Sequence, residues 1–315
     1  GSYKLVFSDL FSDGTNFSKL ILFRLRLPRS LLVLVSGMLL AGSGAVFQLF
    51  FKNPLAEPGI MGISAGATLG AVVAQSFGLG TLISELFSKT EFVAELFSVA
   101  PLNLFAFFGA ILAGVVVTVL AFKGRGSESS VMLLLCGTAL GTLYSAVSSI
   151  ILLVKSKELH SIYTWILGSF NGRGWDELRF ILVPAAVAIT LMFLLSNQLD
   201  LLGYGETTAS SLGVNVNKLR ALVIVTGSLS VSAAVCAGGP IRFVGLIAPH
   251  IVRKLFSPKG KILIPMSLVF GAILLLLADT IARTVAAPVE LPAGVVTSIL
   301  GVPFFLSLVV KKGMK

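Results

Sequence analysis

Residues 25–70 read LRLPRSLLVLVSGMLLAGSGAVFQLFFKNPLAEPGIMGISAGATLG. The stretch opens on two arginines, Arg26 and Arg29, and carries no charge from Leu31 to Phe51. It then turns at Lys52-Asn53-Pro54 and begins a second apolar run. A helix rises ~1.5 Å per residue, so the first run is long enough to cross the ~30 Å hydrocarbon core of a bilayer. Gly37, Gly42 and Gly44, with Ala41, Ser43 and Ala45, give it a face small enough for close helix contact. The unit predicted is a helical hairpin in lipid, with arginines at one mouth and a Pro/Gly turn at the other.

The rest of the chain repeats this grammar. Of its 315 residues 56% are hydrophobic and only 12% charged, with a mean hydropathy of +0.98; a soluble domain carries about 25% charged residues. The fold class expected is therefore all-α, a polytopic helical membrane protein forming a single transmembrane domain over residues 1–315. Further charge-free runs extend over residues 58–84, 96–122, 129–154, 180–199, 221–241, 262–278 and 291–310. With Leu31–Phe51 they make eight spans. A ninth, Gly238 to Lys254, is broken by two glycines, two prolines and Arg242. A charge at mid-membrane costs roughly 2.5–3.5 kcal/mol, so this segment is expected to be short or interrupted and to lie inside the protein, away from lipid.

The net charge of +10 does not indicate nucleic acid. The basic residues sit singly or in pairs between apolar runs, with no basic tract interleaved with aromatics; Lys and Arg flanking a bilayer are the ordinary source of such a charge. Counted by side of the membrane, the 24 Lys and Arg divide evenly, so charge does not orient the chain. Cys136 and Cys236 lie inside apolar runs with no metal or redox spacing. His160 and His250 have no partner motif, and no metal site is expected. Nothing resembles a P-loop, a metal-ligand cluster or a nucleophile elbow, so no catalytic residue is expected and any driving energy must come from elsewhere. Residues 1–24 mix aromatics with polar residues and read as an amphipathic interfacial helix or loop.

Two sets of residues carry the functional reading. Arg26 and Arg29 begin one span, and Arg283 follows Asp279 at the end of another; spacing alone leaves open whether they anchor helix ends at the interface or receive carboxylates of a soluble partner. The connection 200–220 holds Glu206-Thr207-Thr208-Ala209-Ser210-Ser211-Leu212-Gly213, a short helix stopped by glycine. It is either a stiff turn or a lever seated in a partner.

Several stretches together resemble the permease subunits of iron-chelate (siderophore and haem) and vitamin B12 ATP-binding-cassette importers, the FecCD type. They are Arg26–Arg29 (RLPR), Asn53–Gly59 (NPLAEPG), Gly62–Gly66 (GISAG), Trp165–Phe170 (WILGSF), Ala209–Gly213, Gly239–Arg253 (GPIRFVGLIAPHIVR) and Glu290–Thr297 (ELPAGVVT). They run in family order over nearly the whole chain. The resemblance implies a homodimer in the bacterial cytoplasmic (inner) membrane, with ten spans per subunit. Two copies of a separate ATPase, which would hold ATP and Mg²⁺, would sit beneath it, and an extracytoplasmic substrate-binding protein would dock outside. No cofactor is implied in this chain.

The resemblance implies binding-protein docking for Arg26, Arg29 and Arg283, and ATPase coupling for Glu206, Ala209, Ser210, Leu212 and Gly213. The family has an apolar span ahead of the arginines that residues 1–24 do not supply, so about nine of ten spans are expected, with residues 1–24 as an extracytoplasmic lead-in and 200–220 as a cytoplasmic coupling segment. Alternating access is the mechanism implied, along a path at the dimer axis lined by small and weakly polar residues, for which Ser64, Gly66 and Thr138 are the candidates. Rival classes are a permease for free metal ions and an ATP-independent secondary transporter; the scarcity of mid-span carboxylates weighs against the second.

Overall fold

A computed structural model describes residues 17–79, 101–123, 129–155 and 159–313, and every regular element among them is helical. In chain order the helices are α1 (Leu27–Phe50), α2 (Ile63–Ser76), α3 (Pro101–Lys123), α4 (Ser129–Val154), α5 (Leu159–Ile166), α6 (Trp175–Gly203), α7 (Glu206–Ser211), α8 (Val216–Gly238), α9 (Val244–Leu255), α10 (Gly260–Thr284) and α11 (Ala293–Gly313). The expected connection Glu85–Glu95 and the first sixteen residues lie outside the described residues, as does nearly all of the connection 123–128.

One expectation needs correction. From Phe17 onward the lead-in is not a separate interfacial element. A helical turn Phe17–Leu20 and a π-helical stretch Ile21–Arg26 run straight into α1, making one helix of 33 residues over Ser18–Phe50. The wider π turn fits a stretch where Leu20, Phe23 and Leu25 face outward. Of the nine spans expected, the ninth short or interrupted, six of the described helices are long and apolar enough to cross a membrane, while α2 with 14 residues and α9 with 12 are shorter. The physical reason is visible in the breaks. Pro58 and Gly62 divert the chain into a 3₁₀ turn (Pro58–Met61) before α2 begins, and Gly239-Pro240 ends α8 before α9 can continue it.

The core is built on α1, which is buried along most of its length against α10, α8, α6 and α9. Glycines decide how close these axes come. A Cβ at Gly37 would overlap the backbone of Gly271 in α10, and one at Gly44 the backbone of Gly245 in α9. A second seam joins α2 to α3, where Gly66 meets Gly109 and Gly70 meets the Phe105 carbonyl. Lipid supplies no hydrophobic drive between helices, so such close backbone contact is how membrane helices hold together.

Three distant motif stretches meet at one point. Gly294 N–H donates to the Gly168 carbonyl at 2.9 Å, Gly239 lies against the Trp165 carbonyl, and Phe170 fills the space beside Gly238. Trp165 Nε1 is held in turn by Asn103 Oδ1 at 3.1 Å.

Candidate functional site

The break between α8 and α9 opens onto a cavity of about 470 Å³. Its walls come from α1 (Leu40), the turn before α2 (Glu57, Pro58), α2 (Ser64, Thr68), α4 (Ser145, Ser148, Ser149), α8 (Val231, Val235) and the extended segment Pro240-Ile241-Arg242. The depth follows from helix length. Gly245, three residues past Arg242, packs on Gly44, which is fifteen residues, or ~22 Å, along α1 from Arg29.

The wall is weakly polar. Thr68 donates to the Ser64 carbonyl at 3.0 Å, Ser148 to Tyr144 at 2.8 Å and Ser149 to Ser145 at 2.9 Å, so these hydroxyls spend their protons on their own helices. Two charged groups line it. Glu57 Oε1 accepts from the backbone N–H of Phe243 at 3.1 Å; Phe243 is the N-cap of α9 and sits at φ 70°, so the carboxylate satisfies an otherwise orphaned helix N-terminus. Arg242 is exposed and forms no ion pair within 4 Å among the described residues.

Of the residues expected on the path, the structure places Ser64 in this wall. Gly66 instead fills the α2–α3 seam, and Thr138 is exposed on α4 with its hydroxyl on the Leu135 carbonyl at 3.0 Å.

At one end of the bundle the arginines meet carboxylates of the same chain. Arg29 Nη2 lies 2.8 Å from Asp279 Oδ1 and its Nη1 2.7 Å from Glu290 Oε2, while Arg283 Nε lies 3.1 Å from Asp279 Oδ2. Asp279 is 1% exposed. Arg29 is buried, not presented at the surface; Arg26 and Arg283 are half-buried around it. The same rim includes Trp175, whose Nε1 donates to the Phe23 carbonyl at 3.0 Å.

The opposite end carries α7. Asp200 Oδ1 accepts from Gly260 N–H at 2.6 Å, fixing the last turns of α6 to the start of α10. That contact and the Arg29–Asp279 pair are nineteen residues apart on α10, ~28 Å of helix. Within the connection Ala209 is fully buried, Val214 N–H closes onto the Ala209 carbonyl at 3.0 Å, and Gly213 takes φ 87°, a conformation glycine adopts freely. Glu206, Ser210 and Leu212 remain exposed, Glu206 only 3.6 Å from the buried Arg220. The result is a small anchored helix with one polar face turned outward.

Comparison with known proteins bears on this layout. A family model described as the FecCD transport family matches residues 1–311. The chain belongs to the FecCD transport family. The vitamin B12 import system permease protein BtuC of Salmonella schwarzengrund is 38% identical over 296 residues, covering 93% of this chain and 84% of that protein. The Fe(3+)-citrate import system permease protein YfmD of Bacillus subtilis is 37% identical over 298 residues, 94% of this chain and 83% of that one. A solved inward-facing conformation of a metal-chelate type ABC transporter superposes with a TM-score of 0.82 at 33% identity, covering 93% of this chain and 88% of that chain. The protein is thus a multi-pass helical membrane permease with the ABC permease fold.

Two features escaped the sequence reading. The Arg29–Asp279–Glu290 cluster joins residues about 250 positions apart, for which a linear pattern has no signal. Glu57 stood inside a quoted motif, but its role as cap of α9 depends on a turn that sequence spacing does not reveal.

Proposed function

We propose that this chain is the membrane-spanning subunit of an ATP-driven importer of iron chelates or vitamin B12, working by alternating access. The observation that carries the reading is the separation of three parts along one bundle: an arginine rim at one end, a protruding anchored helix at the other, and a polar-walled cavity between them. The rim offers Arg26 and Arg283, with Arg29 beneath them, to carboxylates of an extracytoplasmic binding protein. The exposed face of α7, through Glu206, Ser210 and Leu212 with Ala209 and Gly213 holding it in place, is the part that seats in a separate ATPase subunit. That subunit would hold ATP and Mg²⁺; this chain contributes movement, not hydrolysis.

A second copy completes the path. The α4 helix leaves Leu135, Ile150 and Leu153 exposed on one stretch and Thr138, Thr142, Ser145 and Ser149 on another. An apolar strip beside a hydroxyl strip suits a helix that meets a twin and lines a pore at once. ATP closure of the two ATPase subunits would draw the α7 helices together and switch which side the cavity opens to. The setting is the cytoplasmic membrane of a prokaryote.

Uptake by proteoliposomes tests this. The permease reconstituted with its ATPase and binding protein should accumulate a radiolabelled chelate, whether ferric citrate, ferrichrome or cyanocobalamin, only with ATP at the ATPase face. Accumulation that ignores ATP and follows a proton or sodium gradient would overturn the reading.

A further inference from the structure

Of the two charged groups in the cavity wall, Arg242 is the exposed one. It lies at membrane depth, in the break before α9, where a guanidinium facing hydrocarbon would cost several kcal/mol. It is nevertheless exposed in the cavity wall and forms no ion pair within 4 Å among the described residues, the carboxylate of Glu57 in the same wall acting on it only at longer range. A guanidinium kept at such a depth with no contact ion pair is placed to meet something that enters. The other strong charge in the wall, Glu57, is already engaged by the Phe243 N–H at the start of α9. The helix terminus carries roughly half a positive charge, so guanidinium and helix end together outweigh the single carboxylate, and the cavity is electropositive. The hydroxyls of Thr68, Ser148 and Ser149 around it donate to their own helices, and Arg242 is the one guanidinium among the residues lining the cavity.

We propose that Arg242 is a charge-selecting residue of the translocation path, and that the cargo is an anionic, carboxylate-bearing metal chelate in preference to a neutral chelate or cobalamin. This rests on the importer reading above. The planar guanidinium would take a carboxylate edge in bidentate fashion. One such contact, exposed to water, is strong enough to select and weak enough to release.

The cavity's charge can be read without cargo or ATPase. In a Cys136→Ala background, Ser149→Cys places a thiol in the exposed wall, and the same protein without that substitution, keeping the buried Cys236, gives the background. Labelling by a sulfonate-bearing methanethiosulfonate should outpace a trimethylammonium-bearing one. Arg242→Gln should cut that preference by about tenfold, the lower end of what a focusing cleft produces, and Arg242→Lys should keep most of it. An unchanged ratio in Arg242→Gln overturns the proposal. In proteoliposomes with the ATPase and binding protein, radiolabelled ferric citrate uptake should fall in Arg242→Gln, fall further in Arg242→Glu and recover in Arg242→Lys. ATP-driven uptake of cyanocobalamin or ferrichrome but not ferric citrate in the unaltered protein also overturns it. If no ATPase associates and no uptake needs ATP, the importer reading fails; the labelling ratio still decides Arg242 by itself.

Discussion

Arg29 and Arg242 are two of the guanidiniums of this bundle, and the protein treats them in opposite ways. Arg29 is closed in by Asp279 and Glu290 at 2.8 and 2.7 Å, with its side chain 10% exposed. Arg242 is exposed to a cavity and makes no ion pair among the described residues. Removing a charge from water costs several kcal/mol, recovered only when the geometry of its partners is good; Arg29 has that geometry. Arg242 keeps water, or whatever replaces it, instead. Arg29, paired within its own chain at the end of the bundle, is a staple between α1, α10 and the segment before α11, whereas Arg242, exposed in the cavity wall, is placed to serve as a site.

That contrast can be broken by experiment, beginning where the effect is largest. Asp279→Ala removes the shared acceptor of Arg29 and Arg283, and losing one partner of a buried pair costs about 3–5 kcal/mol. The thermal midpoint in detergent should drop sharply, and the double change Arg29→Met/Asp279→Leu should recover much of it. Arg242→Gln should leave the midpoint almost unmoved; a fall as large as that of Asp279→Ala would erase the distinction.

Gly44→Val sharpens the second half of the contrast, because α9 and its preceding break are positioned by the Gly44–Gly245 contact. Overpacking there should cost about 1–3 kcal/mol and displace Arg242 as well, so stability and uptake should fall together. Glu57→Leu strips the acceptor from Phe243 N–H, and a buried unsatisfied donor costs about 1–3 kcal/mol. Glu57→Gln retains an acceptor and should lose less, which a paired unfolding measurement would read. Smallest in stability is Glu206→Ala: the 3.6 Å pair with Arg220 is half exposed and worth at most about 1 kcal/mol. Its consequence should appear in ATPase coupling, not in the melting curve.

How much of this could be read from the chain depends on distance. The small-residue face of α1 was legible because Gly37 and Gly44, seven residues apart, fall on one side of a helix, and each meets a backbone as that face implies. The interrupted ninth segment was legible because Gly-Gly-Pro and an arginine cannot sit together in lipid. Span count was less so, since Leu31–Phe51 and the run beginning at Pro58 look alike in hydropathy while only the first becomes a long helix. Spacing left Arg29 open between a helix-end anchor and a docking residue, because its partners come from the other end of the sequence. Gly66 was chosen by residue type and packs in the α2–α3 seam, since type does not say which way a small residue faces; Thr138 lies exposed on α4.

The central claim is that opposite ends of the bundle serve different partners, and a two-ended binding measurement tests it most directly. The permease is captured from membranes, and retention of the ATPase and of the binding protein is quantified for Leu212→Asp and for Arg26→Ala/Arg283→Ala. The account predicts that Leu212→Asp loses the ATPase and keeps the binding protein, and that the arginine variant does the reverse. Loss of both partners from either variant, or of neither from both, would contradict it.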